Sequence, residues 1–148
     1  MPSVETATKT DAGLAAELRL SVVRLRRRLI GERDPANDLS IGAMSVLGCL
    51  YRRGQLQIGE LAAHERVRPP SMTRTVTALE ADGYVERRPD ESDARLVVVH
   101  LTEQGRATLL ADRKRRDAWL ACQLRDLSSE ERAILRAAAP ILEQLASR

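Results

Sequence analysis

The sequence predicts a mainly α-helical chain carrying one small β-hairpin, and three observations predict it. Apolar residues recur at steps of three and four over most of the 148 residues. A short polar helix is opened by Pro69-Pro70 and closed by Gly83. The strongest β-branched run, Leu96 to Leu101, faces a second extended segment, Tyr84-Val85 through Pro89, across an acidic turn.

Taken in order, residues 1–10 are polar, and Leu14, Leu18, Val22, Leu25 and Leu29 then mark a long amphipathic helix. Its other face carries Arg19, Arg24, Arg26, Arg27 and Arg28, a pattern that fits a solvated surface or a set of phosphate contacts. A membrane-binding face needs interfacial aromatic residues, which this segment lacks. The loop Gly31 to Leu39 breaks the helix, and Ser40 is placed to cap the next one, Ile41 to Arg53, which stops at Gly54. Gln55-Leu56-Gln57 is short enough to add a small strand to the hairpin before a helix from Ile58 to Glu65. Ile58, Leu61 and Ala62 are expected to pack against Met72, Val76 and Leu79 of the following helix, which makes the pair a helix-turn-helix.

That following helix reads as the DNA-reading element. Proline has no backbone N–H and a φ already near the helical value, so Pro69 and Pro70 suit a first turn whose N–H groups have no partner anyway. Met72, Val76 and Leu79 form one apolar stripe, leaving Ser71, Thr73, Arg74, Thr75 and Thr77 on the remaining surface. Three turns match the ~12 Å width of the B-DNA major groove. Arg68 stands at the helix mouth, within reach of a phosphate or a base edge, and Gly83 supplies the left-handed cap.

The hairpin turn, Asp90-Glu91-Ser92-Asp93, has the composition of an exposed loop. An arginine at such a tip can enter a narrow minor groove, and an aspartate two residues earlier can hold its guanidinium in a fork; Arg95 and Asp93 fit those roles. Taken alone, an Asp-x-Arg tripeptide is more often a solvated loop, and it is the adjoining helix that favours the DNA reading. Beyond it, Thr102 caps a long rod marked by Leu109, Leu110, Trp119, Leu120 and Leu124, with Arg-Lys-Arg-Arg at 113–116. Ser128 and Glu131 form a capping box for a last helix whose Ile134, Leu135, Ala138, Ile141, Leu142 and Leu145 give a wide apolar face, with a kink expected at Pro140. Terminal helices this apolar predict a second subunit against them. A two-fold dimer presents two reading helices and fits a pseudo-palindrome with half-sites about 10 bp apart.

Leu61-Ala62 through Gly105 resembles the winged helix-turn-helix of the MarR family of bacterial transcriptional regulators. The resemblance rests on RPPSMTRTVTALEADGYVERR, the wing ESDAR and the exit VVVHLTEQG, in that order and spacing, and extends more loosely over residues 11–146. It implies one domain over 1–148: a winged helix-turn-helix at 40–101 with N- and C-terminal dimerisation helices at 11–30 and 102–146. It also implies that Pro70, Ser71, Thr73 and Arg74 face the major groove, with Arg74 the leading phosphate or guanine contact. Arg95 matches the wing arginine and Asp93 its buttress, with Thr75 and Thr77 as secondary phosphate contacts. A salt bridge from Arg74 to Glu80 or Glu86 is the structural alternative. Gln57 departs from the Ser or Thr usual at its position. Many relatives release DNA when a small aromatic or phenolic effector fills a pocket between dimer helices and winged module; Tyr51 and Trp119 are the side chains nominated here.

Charge placement qualifies this reading. Lys+Arg number 24 against 21 Asp+Glu, a net charge of only +3, and the six arginines between His64 and Arg95 are matched by seven acids. Affinity for double-stranded DNA must then come from particular arginines rather than from a basic patch. No apolar run approaches a membrane span and no signal pattern opens the chain, so the expected compartment is the cytoplasm. His64 and His100 are the only histidines, and no hydrolase, zinc or phosphate-loop motif occurs; neither catalysis, a metal nor another cofactor is expected. Cys49 and Cys122 lack Cys-x-x-Cys spacing and read as two reduced, buried thiols, with a thiol-based redox switch as the minority reading. The alternative from another functional class is a winged helix that docks proteins and has little affinity for DNA.

Overall fold

Periodicity, caps and breakers give six helices and one hairpin in the computed structural model, which describes residues 10–148. The helices are α1 (Asp11–Gly31), α2 (Ile41–Arg53), α3 (Ile58–Glu65), α4 (Pro69–Ala81), α5 (Glu103–Arg125) and α6 (Ser129–Ala146); β1 (Val85–Pro89) and β2 (Val97–Leu101) lie between α4 and α5. The described chain divides into two compact units, one made of residues 10–33 with Arg115–Arg148, the other of Asp34–Lys114.

The central unit holds the core. Met72, Val76 and Leu79 of α4 close on Leu61 and Ala62 of α3, on Val46, Leu47 and Leu50 of α2, and on Val85 and Val99 of the hairpin, with Ile58 half-buried at the edge. The antiparallel register pairs Val85 with Leu101 and Pro89 with Val97 in a two-stranded sheet; the Gln55-Leu56-Gln57 segment, expected as a further small strand, contributes only a single bridge from Leu56 to Val99. Ser40 caps α2 by accepting the Ala43 N–H at 3.0 Å. At α3 the Gln57 N–H donates to Glu60 Oε2 at 2.8 Å, so a reciprocal carboxylate contact supports the start that lacks Ser or Thr. Leu96 is not part of β2 as the β-branched run implied: its N–H donates to Asp93 O and its carbonyl accepts from Asp90, which commits it to the turn.

Asp112 is the buried charged residue of this unit, a role the sequence reading of the α5 rod did not single out. Its carboxylate accepts from Asn37 Nδ2 at 2.8 Å and from the Asp34 N–H at 3.3 Å, pinning the segment before α2 to α5. Buried carboxylates are tolerated when donors replace water, and this one has them.

The terminal unit is differently built. No residue of α1 or α6 is buried in the single protomer, and Leu14, Leu18, Val22 and Leu25 of α1, with Ile134, Leu135, Ile141, Leu142 and Leu145 of α6, stand exposed. Within it, Arg116 Nε donates to Leu29 O at 3.2 Å and the Arg28 guanidinium lies 4.8 Å from the Trp119 ring. The Ser128–Glu131 capping box forms as the sequence indicates, and α6 continues without interruption through Pro140. Cys122, expected to be buried, is exposed, because its stretch of α5 belongs to the terminal unit, where none of the described residues is buried; Cys49 is buried in α2. Among the described residues no helix is long and apolar enough to cross a membrane.

Candidate nucleic-acid interface

The reading helix is set by its own ends. A residue preceding proline is driven out of the helical region, and Arg68 takes φ −71°, ψ 142° before Pro69 and Pro70 start α4. Gly83 follows the helix at φ +84°, a conformation open to glycine at little cost. With Met72, Val76 and Leu79 buried, Thr73, Arg74 and Thr77 are exposed, as are Arg68 and Pro70, while Ser71 and Thr75 are half-buried.

The hydroxyls of α4 are not equivalent. Thr73 Oγ1 donates to Pro69 O at 3.0 Å and Thr75 Oγ1 to Ser71 O at 3.1 Å, so each of these protons is already used within the helix. Thr77 Oγ1 instead accepts from Arg87 Nη2 at 2.9 Å, which leaves its own proton to donate. Arg74 makes only a 3.5 Å contact to Ser71 Oγ. The salt bridge weighed for it does not form: Glu80 is taken by Arg87 and Glu86 by Arg88.

Arg87 carries no signal in the sequence, yet it fastens the hairpin to the reading helix. Its N–H donates to Glu80 Oε2 at 2.7 Å, its Nη1 to Glu80 Oε1 at 2.8 Å, and its Nη2 reaches Thr77. Thr77 and Glu80 are one turn apart and share a face of α4, but only the register of β1 shows that Arg87 meets both. The backbone N–H and then the guanidinium of Arg87 hold the Glu80 carboxyl below the usual carboxylate range. A carboxyl lowered on folding stabilises the fold above its unfolded pKa, and that contribution is lost as pH falls through the folded value. Acid titration followed by circular dichroism should therefore show Glu80→Gln less stable than the parent at neutral pH, with the difference shrinking as the pH drops below the usual carboxylate range; a constant difference refutes the assignment.

At the wing tip, Asp90 organises the turn by accepting from Ser92 Oγ at 2.7 Å and from the Asp93 N–H at 3.2 Å. Asp93 then forks Arg95: Nε to Oδ1 and Nη2 to Oδ2, both 3.0 Å, with the Arg95 N–H also on Oδ1 at 3.1 Å. The Asp93 carboxyl is lowered by the Arg95 guanidinium first and the Arg95 backbone N–H second, and the Arg95 guanidinium is raised by its hydrogen bonds to the Asp93 carboxylate. The Arg95 side chain is 90% exposed while that of Asp93 is 32% exposed, so the acid is the anchored partner and the guanidinium the presented one.

The arrangement is thus a polar helix presenting Arg74 and an arginine-tipped hairpin on one small core, joined by the Arg87–Glu80 ion pair. Tyr51 and Trp119, nominated together from the sequence, fall in different units. Among the described residues no cluster of His, Cys, Asp or Glu could hold a metal ion.

Comparison with known proteins bears on what this arrangement is for. Residues 39–97 match the family model described as MarR family. An HTH-type transcriptional regulator of Mycobacterium tuberculosis is 43% identical over 133 residues, spanning 90% of this chain and 92% of that protein. The chain belongs to the MarR family. As a MarR-family transcriptional regulator it is also similar to the crystal structure of a Pseudomonas aeruginosa protein described as a transcriptional regulator, with a TM-score of 0.82 and 36% identity over 93% of this chain and 97% of that one. Streptococcus pneumoniae FabT, solved in complex with DNA, shares the fold at a TM-score of 0.68 and 22% identity, covering 90% of this chain and 96% of that chain. The mainly helical fold and the winged helix-turn-helix expected from the sequence are those of the family.

Proposed function

We propose that this MarR-family chain is a sequence-specific double-stranded DNA-binding repressor that acts as a homodimer on a pseudo-palindromic operator, under the control of a small effector. The observation that carries the reading is the pairing of an exposed Arg74 on α4, which has no acidic partner among the described residues, with an Asp93-forked Arg95 at the wing tip, the two elements locked together by Arg87 and Glu80. A rigid link of this kind supports simultaneous contacts in a major groove and the adjacent minor groove. Arg68, Pro70, Ser71 and Thr73 line the same helix mouth, and Thr77 offers a free proton to a phosphate; Thr75 is the weakest of the named contacts because its hydroxyl is half-buried and committed.

The apolar, exposed faces of α1 and α6 support dimerisation, since a stable monomer rarely leaves so much aliphatic surface in water. Repression follows if the operator overlaps a promoter, and an effector acts only by preferring one spacing of the two reading helices. Selection of bound fragments from random duplex DNA, with sedimentation of the free protein, tests this. The expected result is a dimer enriching an inverted repeat with half-sites about 10 bp apart, with affinity falling steeply as salt rises. A monomer, or a pool with no enriched motif, would favour the protein-docking alternative.

A further inference from the structure

The turn between α3 and α4 holds an arginine in a backbone conformation that its type disfavours. Three of the described residues have positive φ: Gly54 at +81°, Gly83 at +84° and Arg66 at +55° with ψ +42°. The two glycines reach that region at little cost, whereas a Cβ there crowds the following carbonyl oxygen. Arg66 is held in it. Its N–H donates to Ala63 O at 3.3 Å and the Val67 N–H to Ala62 O at 3.0 Å, the pair of bonds that closes α3 and defines a left-handed position between them.

Nothing in the described fold offsets this strain. The Arg66 side chain is exposed and forms no ion pair or hydrogen bond among the described residues. Glu65, the residue before it, accepts from Ser45 Oγ of α2. Glycine would close α3 with less strain, so folding does not account for an arginine at this position.

The start of the next helix lacks what an anion usually finds there. Helix ends hold phosphates through the N–H groups of the first turn that have no partner in the helix. The first two residues of α4 are Pro69 and Pro70, which have no N–H, and the helix's own bonding begins with the Met72 N–H on Arg68 O at 3.1 Å. Ser71 is left as the one amide of that turn. In a helix-turn-helix the first helix crosses the DNA backbone and the second enters the groove, which sets the turn beside the phosphates at the groove's edge. The Cα atoms of Arg66 and Arg68 are at most about 7 Å apart, so both arginines serve the same stretch of backbone.

We infer that Arg66 is a phosphate contact of the regulator, supplying from the turn the donors that the proline-opened helix lacks, and that it is retained there against folding stability. The inference rests on the DNA-binding reading and adds a residue of the turn to it. A guanidinium suits the role because its planar fork matches phosphate oxygens. Such a contact carries no base information, so Arg66 adds affinity for any duplex and leaves the choice of sequence to α4 and the wing.

Arg66→Gly tests it, because the two expected effects have opposite signs. Thermal unfolding should place the variant about 2 °C above the parent, the relief of left-handed strain being partly offset by the freedom of glycine in the unfolded chain. Fluorescence anisotropy, with a duplex recovered by selection and with one of scrambled sequence, should show both bound about tenfold more weakly. The salt slope should fall by about 1 per subunit. Arg66→Lys, which keeps a cation on the same strained backbone, should retain the parent's Tm and slope. Unchanged affinity and slope for Arg66→Gly, with a parent that binds both duplexes, overturns the inference and leaves the DNA-binding reading standing; a parent that binds neither duplex overturns both. A Tm for Arg66→Gly at or below the parent's also overturns it, since weaker binding would then reflect a damaged turn.

Discussion

Replacing Arg74 and Arg95 together with alanine is expected to weaken operator binding by about 2 to 6 kcal/mol per subunit, roughly thirtyfold at the least. The two residues share no hydrogen-bond partner and lie on different elements, so their effects should add. Arg74 forms no ion pair among the described residues, and its removal therefore costs the fold little and the complex a full cationic contact. Arg95→Ala does more than delete a cation, because it leaves the Asp93 carboxylate, now without its guanidinium, facing the DNA backbone. Arg95→Ala should then be worse for binding than Asp93→Asn, which frees the same guanidinium without adding an uncompensated charge. Fluorescence anisotropy over a range of salt concentrations checks both statements, since deleting one cation that meets a phosphate lowers the salt slope by about 1. A double variant that binds as tightly as the parent would mean that another surface meets the DNA.

The parts of this site that the sequence disclosed are those whose partners are close in the chain. The start of α4 is written in Pro69-Pro70, its end in Gly83, and the Asp93–Arg95 fork spans two residues, so local chemistry settles each. The caps at Ser40, Thr102 and Ser128 were legible for the same reason. What escaped depends on register and packing. Arg87 meets Thr77 and Glu80 only because β1 returns along α4, and Asp112 is buried only because residues 34–37 fold onto α5. The stacking of Arg106 and Arg113 on Tyr51 likewise needs α2 and α5 side by side, which periodicity within either helix does not show. Composition also misled at Cys122, where a small apolar side chain sits on a length of α5 with no core around it.

Gly105→Ala is expected to destabilise the protein by about 3 kcal/mol, or roughly 10 °C in Tm, although alanine is the better helix former. A Cβ at this position would stand 2.1 Å from Tyr84 O and 2.8 Å from Leu101 Cδ1. The leucine can turn away, but the carbonyl is held: Tyr84 O accepts the Thr102 N–H at 3.2 Å, and the Tyr84 N–H donates to Leu79 O at 2.9 Å. Thr102 completes the knot by donating Oγ1–H to Gly83 O at 2.6 Å while its oxygen accepts the Gly105 N–H at 3.1 Å. Making room for one methyl group therefore means moving the first turn of α5 away from the cap of the reading helix and the root of the wing. Adding Leu101→Ala should not rescue the variant, because it relieves the lesser clash and leaves the carbonyl where it was. If thermal unfolding shows Gly105→Ala within about 2 °C of the parent, the close approach of α5 to Tyr84 is not a constraint on the fold. If it unfolds early while retaining a helical spectrum in the cold, DNA affinity should fall with it, since the same knot sets the angle between α4 and the hairpin that carries Arg95.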